Sequence, residues 1–116
     1  MARRTDSNIL MLPNGQVLVL GGDQARPQIW DPANNSWTDS TTSGLDPEPA
    51  VRAYHATAML LPDARVLTGG ESPSDAYLHV YCPPYLFNAQ GGLASRPTLT
   101  SAPTSVGYGE SFLIEP

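Results

Sequence analysis

Tyr54 and His55 are the neighbouring side chains in this sequence whose types could support metal or proton chemistry. They lie in the stretch RAYHATAMLLPDARVLTGG, immediately before an apolar run. A hydroxyl and an imidazole each need a polar partner when they leave water. Histidine is also a common metal ligand, and the chain holds only two histidines and one cysteine. The pair therefore indicates either a site of this chemistry or two hydrogen-bonded structural residues.

The elements around this pair are predicted to be β-strands. The chain contains 12 prolines and 10 glycines, and it lacks an apolar segment with helical spacing of about ten residues or more. Short apolar runs between turn residues are typical of all-β proteins. Four such runs occupy the first part of the chain, namely NILML, QVLVLGG, PQIWDP and SWTDS. The turn sequences PNG and DPANN separate them as hairpins.

Two parts of the sequence repeat one another. RTDSNILMLPNGQVLVLGG is echoed by RAYHATAMLLPDARVLTGG at an offset of 48 to 49 residues. Kelch-type propeller blades repeat about every 50 residues. IWDPANNSWTDS is similar to the second half of such a blade, and AYLHVYCPPYLF takes its place in the second copy. Thr5 and Asp6 occupy the positions of Tyr54 and His55, so the repeat itself does not require the pair.

The sequence after the second repeat has a different character. NAQGGLASRP is predicted to be a linker, and PTLTSAPTSVGYGESFLIEP looks like the opening strands of an immunoglobulin-like sandwich. We therefore assign residues 1–95 to the last two blades of a kelch-type β-propeller and residues 96–116 to the start of an immunoglobulin-like, early-set domain. Because a propeller typically needs about four to eight blades, we expect the chain to be a fragment.

In this order the motifs resemble the galactose oxidase and glyoxal oxidase family of copper radical oxidases. The sharpest marks are Arg-x-Tyr-His before Leu-Pro-Asp, and Pro-Pro-Tyr-Leu-Phe before Arg-Pro. The resemblance covers nearly the whole chain. It implies the oxidation of a primary alcohol or aldehyde, with oxygen reduced to hydrogen peroxide, in an extracellular protein. The family's radical tyrosine, cross-linked to a cysteine, and its second histidine ligand have no counterpart here, so the chain alone is expected to be inactive.

By this resemblance Tyr54 and His55 are two ligands of a mononuclear copper ion. Tyr54 would be the axial ligand and the general base that accepts the substrate's hydroxyl proton. His55 would be an equatorial ligand, since neutral imidazole suits copper. Neighbouring residues on a regular strand face opposite sides, so both side chains can reach one ion only if the backbone is irregular there. The prolines and small residues of DPEPAVRA favour such an irregular start.

Other interpretations stay open at this point. A non-catalytic kelch-repeat protein that binds carbohydrate or protein would keep Tyr54 and His55 as structural residues that line the propeller channel. A truncated gene product without independent function is a third possibility. His79 is predicted to be a surface or cross-strand residue, and Cys82 a buried packing residue. Asp46, Glu48 and Asp63 are predicted to lie in polar loops.

Composition limits the partners. The net charge is −5, all six basic residues are arginines, and no basic cluster is longer than ARR at the start, which argues against nucleic acid and anionic membrane surfaces. The apolar runs are far shorter than the roughly 20 residues of a membrane span. The resemblance implies a small alcohol, aldehyde or sugar as substrate, and the remaining blades and C-terminal domain of a parent chain as structural partners.

Overall fold

The computed structural model describes residues 3–38, 45–70 and 78–115. They form two antiparallel sheets and one short 3₁₀ turn, Pro84–Leu86. The first sheet is a meander of β1 (Ser7–Met11), β2 (Val17–Gly21), β3 (Gln28–Asp31) and β4 (Ser36–Trp37), and the second is a meander of β5 (Thr57–Leu60), β6 (Val66–Gly69) and β7 (His79–Tyr81). The prediction of an all-β fold is confirmed. Within the described ranges, no helix has the length and apolar character of a membrane span.

Each of the four runs predicted in the first part of the chain overlaps one strand of the first sheet. The PNG turn closes the first hairpin, where the Leu12 amide donates to the Gln16 carbonyl at 2.8 Å and the Gly15 amide donates to the Leu12 carbonyl at 2.9 Å. Gly15 has a φ of +83°, which glycine adopts without steric cost. Two ends of predicted segments, Asp39-Ser40 and Ala76-Tyr77, lie outside the described residues.

The two sheets repeat the same first hairpin. Leu10 pairs with Leu18 in the first sheet, and Met59 pairs with Leu67 in the second. Leu10 and Met59, like Leu18 and Leu67, are 49 residues apart, so the strand register follows the longer of the two offsets, 48 and 49, seen in the sequence repeat. The third strands continue the correspondence, because Leu18 pairs with Ile29 and Leu67 pairs with Val80.

The hydrophobic core lies between the two sheets. Its buried members come from β2, β3, β6 and two loops, and partly buried side chains from β1, β5, β7 and the 3₁₀ turn pack against them: Leu12, Leu18, Leu20, Ile29, Leu45 and Val66, with Leu10, Ala58, Leu60, Tyr81 and Tyr85. β1 and β5 are in contact, and the Asn8 side-chain amide donates to the Ala56 carbonyl at 3.3 Å. The start of β5 is therefore fixed against the first sheet.

The outer face of each sheet is also apolar. Ile9 and Met11 alternate with the core residues of β1 and are 68% and 76% exposed. Met59 and Val80 lie on the face of the second sheet that points away from the core, and they are also exposed. A sheet at the surface of a two-layer protein normally presents a polar outer face, whereas two apolar faces are typical of a sheet between two other layers. This pattern is compatible with serial stacking of more such sheets.

Residues 96–115 contain little regular structure. The segment is joined by one antiparallel bridge between Ser101 and Glu115, and the expected alternating strand SFLIE does not form over residues 111–114. Phe112, Leu113 and Ile114 are exposed. No sheet in the described part of the chain covers these side chains, so burial does not stabilise a strand there.

Ala64 provides a first testable prediction, because it occupies the position of Gly15 in the second hairpin with a φ of +66°. A left-handed conformation costs an L-residue about 1–2 kcal/mol, and replacement by glycine removes this cost. Part of the resulting gain in stability is offset because glycine makes the unfolded chain more flexible. We expect Ala64→Gly to raise the free energy of unfolding by about 0.5–1 kcal/mol. Gly15→Ala is the matched control and should lower it by about 1 kcal/mol, since the added methyl group meets no atom within 4 Å. Urea unfolding measures both, and equal stability of Ala64→Gly and wild type would contradict the argument.

Candidate functional site

Tyr54 and His55 lie at the centre of a tight turn that precedes β5. The Ala56 amide donates to the Ala53 carbonyl at 3.2 Å and closes the turn. His55 has a φ of +63°, in the left-handed region. The irregular backbone that the sequence predicts before β5 is therefore present, and it interrupts the alternation of side chains that a regular strand would impose.

The turn places the two rings side by side. Their centroids are 3.8 Å apart and their planes are tilted by 32°. Tyr54 is 61% exposed, and His55 is exposed as well. Neither residue is a buried structural group within the described part of the chain, so both are open to an additional ligand or to another layer of protein.

The left-handed backbone conformation is common to both copies of the repeat, whereas the two rings are specific to the second copy. Asp6 occupies the equivalent position before β1 and has a φ of +54°. Aspartate and histidine are among the non-glycine residues that tolerate this region best. The first copy thus has the same backbone feature with Thr5 and Asp6 in place of the aromatic pair.

A buried ion pair lies next to the turn. Arg52, two residues before Tyr54, donates from Nε to Glu48 Oε2 at 2.9 Å, and the two side chains are 0% and 1% exposed. The guanidinium also donates from NH1 to the Gly70 carbonyl at 3.0 Å. Glu48 was expected in a polar loop, but it is buried. Burial raises the pKa of the Glu48 carboxyl, while Arg52 and the hydroxyl of Thr68 act in the opposite direction.

Comparison with known proteins identifies the relatives of this chain. It is 31% identical to aldehyde oxidase GLOX of Vitis pseudoreticulata over 94% of its own length and 25% of that protein, and 28% identical to aldehyde oxidase GLOX1 of Arabidopsis thaliana over 94% and 21%. It is 29% identical to galactose oxidase of Gibberella zeae over 87% and 17%. The chain is galactose/glyoxal oxidase-like. It spans a quarter or less of the length of these relatives. No model of a protein family matches it.

The structure of this galactose/glyoxal oxidase-like chain separates His79 from the Tyr54–His55 turn. His79 lies on β7, where it pairs with Thr68, and it is half-buried. It lines a cleft of about 370 Å³ together with Asp46, Tyr81 and Cys82. The prediction that His79 is a cross-strand residue is therefore confirmed.

Cys82 corrects an expectation, because it is an exposed free thiol and not a buried packing residue. It follows β7 directly, and the chain then turns at Pro83 into the 3₁₀ segment. Pro83 takes the buried position beside the core. Pro83 is buried in place of Cys82 because the proline pair redirects the backbone immediately after the strand.

The donor atoms at the turn fit a copper ion as part of a larger site. An imidazole is a preferred ligand of copper, and the adjacent tyrosine contributes an oxygen. Across residues 3–38, 45–70 and 78–115, no group of three or more histidine, cysteine, aspartate or glutamate side chains could hold a metal ion. Within the described residues, Tyr54 and His55 therefore offer two donor atoms and do not form a complete metal site.

Sequence analysis missed the supporting arginines. Arg4 in the first copy donates to the carbonyls of Gly21 at 2.7 Å and Gln24 at 3.1 Å, and also to that of Arg26. Gly21 and Gly70 are equivalent in the register that aligns Leu18 with Leu67, so Arg4 and Arg52 bind equivalent carbonyls. The signal was visible, because both copies of the repeat begin with arginine, but the bonds join residues that are distant along the chain.

Proposed function

We propose that this chain is part of a copper radical oxidase that oxidises a primary alcohol or aldehyde with oxygen and forms hydrogen peroxide. The observation that carries the proposal is the left-handed turn that brings the Tyr54 and His55 rings to 3.8 Å in a galactose/glyoxal oxidase-like sequence. A regular strand would direct these two side chains to opposite faces. The turn removes that obstacle to their sharing one ion.

Tyr54 and His55 are the residues that would hold copper. Copper, when bound, would accept electrons from the substrate together with a protein radical and would lower the proton affinity of the tyrosine oxygen. The chain's own contribution is to position two donors. His55 would present an imidazole nitrogen to the metal, and the Tyr54 oxygen would accept the hydroxyl proton of the substrate as a general base. Their exposure in this chain leaves room for a substrate to approach.

The remaining parts of the oxidase would come from outside this chain. We propose that residues 1–95 are the last two kelch-type blades of a propeller, that residues 96–116 begin an early-set domain, and that the parent protein is extracellular. The apolar outer faces of both sheets support the first assignment, because neighbouring blades would bury Ile9 and Met11 on one side and Met59 and Val80 on the other. The radical tyrosine with its cysteine and the second histidine ligand would lie in the other parts.

The proposal is tested by peroxide formation. We expect the full-length protein, loaded with copper and supplied with a panel of primary alcohols, aldehydes and sugars, to release hydrogen peroxide. The 116-residue chain alone is the control, and we expect it to bind copper weakly and to release none, because two ligands do not complete the site.

Two outcomes would overturn parts of this proposal. A full-length protein that retains no copper and oxidises none of the panel would favour the non-catalytic kelch-repeat protein that binds carbohydrate or protein. Turnover by the 116-residue chain alone would show that the assignment of the missing groups to other parts of the protein is wrong.

A further inference from the structure

The two copies of the repeat hold their arginines in different ways. In the first copy the Arg4 guanidinium binds main-chain carbonyls, those of Gly21, Gln24 and Arg26. In the second copy the Arg52 guanidinium binds the Gly70 carbonyl and also the carboxylate of Glu48. The direct hydrogen bond to the Glu48 carboxylate thus lies in the copy that carries Tyr54 and His55, while Asp23 and Glu48 act on Arg4 through their charges.

Glu48 links this arginine to the first sheet. Its amide donates to the Ala25 carbonyl at 2.8 Å, in the loop that follows β2. Its Oε2 atom accepts hydrogen bonds from Arg52 Nε at 2.9 Å and from the Thr68 hydroxyl of β6 at 3.4 Å. A guanidinium has a rigid planar fork of donors, so binding a carboxylate and a carbonyl together fixes its orientation. The backbone two residues before Tyr54 is therefore fixed from both sheets.

Gly70 connects the Arg52 guanidinium to the second half of the turn, residues 55 and 56. It has a φ of +102°, and a Cβ atom there would lie 2.7 Å from the His55 carbonyl oxygen and 2.8 Å from Ala56 Cα. The turn thus packs directly on the backbone of Gly70, whose carbonyl accepts the Arg52 hydrogen bond. On the far side, Asn8 binds the Ala56 carbonyl.

We propose that the buried Glu48–Arg52 ion pair is a positioning element that holds the turn of residues 53–56 in the conformation that sets the Tyr54 and His55 rings side by side. Its consequence for copper rests on the proposed function, but the effect on the turn does not. Arg52 and Glu48 are positioning residues, because they act through the backbone of the turn and through Gly70.

The test compares Arg52→Lys with Arg4→Lys in the full-length protein. Lysine keeps the charge but lacks the rigid fork, so it cannot reproduce both hydrogen bonds of Arg52 in the same geometry. Two readouts are used: amide hydrogen exchange of residues 53–57 without metal, and copper affinity with the Cu(II) electron paramagnetic resonance spectrum. We expect Arg52→Lys to accelerate exchange in the turn about 10-fold, to weaken copper binding about 10-fold and to alter the spectrum. Arg4→Lys is expected to leave all three unchanged.

The two readouts keep the outcomes distinct. Unchanged turn exchange in Arg52→Lys, or a change of the same size in Arg4→Lys, would overturn the positioning role. If wild type binds no copper, the proposed function fails, and the exchange measurement alone decides the positioning role. Should Arg52→Lys not fold, Glu48→Gln takes its place, since it keeps the shape of the side chain and removes the charge. Glu48→Gln is expected to accelerate exchange in the same turn, and unchanged exchange would count against the proposal.

Discussion

Replacement of Tyr54 by phenylalanine should lower the peroxide-forming turnover proposed for the full-length protein by about 100-fold or more. The substitution keeps the ring, and with it the contact to the His55 ring at a centroid distance of 3.8 Å. It removes only the oxygen that would ligate copper and accept the substrate proton. Because Tyr54 is 61% exposed, the loss of the hydroxyl leaves no buried polar group without a partner. We therefore expect little change in thermal stability, and copper can be retained.

Replacement of His55 by alanine should have a different effect. It removes the proposed imidazole ligand, so copper retention itself is expected to fall along with turnover. Alanine also tolerates the left-handed φ of +63° less well than histidine, so a small loss of stability accompanies the change. His79→Ala is the matched control, since His79 lies on β7, which β6 separates from β5. It should leave copper content and turnover nearly unchanged.

Metal analysis, peroxide assays and thermal melts of the three variants decide between the two roles of the pair. The melts exclude simple unfolding as the cause of lost activity. If Tyr54→Phe and His55→Ala behave like His79→Ala, the copper assignment is wrong. The two rings would then be structural residues that contact another layer of the protein.

Much of the fold followed from local sequence signals. The first hairpin was predicted because the turn Pro13-Asn14-Gly15 separates two apolar runs, and both the turn and the runs act over a few residues. The segment SFLIE had the same alternating pattern and did not form a strand. An alternating pattern indicates a strand only where another sheet covers its apolar face, and the sequence does not reveal whether this cover exists.

The residue types of the candidate site were predictable from the sequence, but the buried Glu48–Arg52 ion pair beside it was not. The pair Tyr54–His55 and the need for an irregular backbone were visible in the sequence, because a strand alternates its faces. Glu48 gave no such signal, since a glutamate between two prolines in DPEPA is typical of a polar loop. Its burial results from Arg52, and their pairing depends on the packing of β6 and Gly70 beside them.

Replacement of Arg52 by methionine should be among the most destabilising single changes in the chain. It leaves the Glu48 carboxylate, 1% exposed, without the cation that lies 2.9 Å away. Removal of one member of a buried ion pair typically costs about 3–5 kcal/mol, because the remaining charge is desolvated without compensation. Arg65→Met is the control, since Arg65 pairs with Asp63 at 2.6 Å in an exposed position. Exposed pairs contribute about 0–1 kcal/mol, so this variant should unfold nearly like wild type.

The double variant Glu48→Leu with Arg52→Met separates stability from positioning. Replacement of both charges by apolar side chains of similar volume is often neutral or stabilising, so we expect it to recover most of the roughly 3–5 kcal/mol lost in Arg52→Met. It does not restore the hydrogen bond to the Gly70 carbonyl, and thus the turn of residues 53–56 should still exchange its amides faster than in wild type. Denaturant unfolding and hydrogen exchange of the same samples measure the two quantities. A double variant as unstable as Arg52→Met would mean that the site cannot accept apolar side chains, whereas wild-type exchange in the turn would mean that packing alone holds Tyr54 and His55 together.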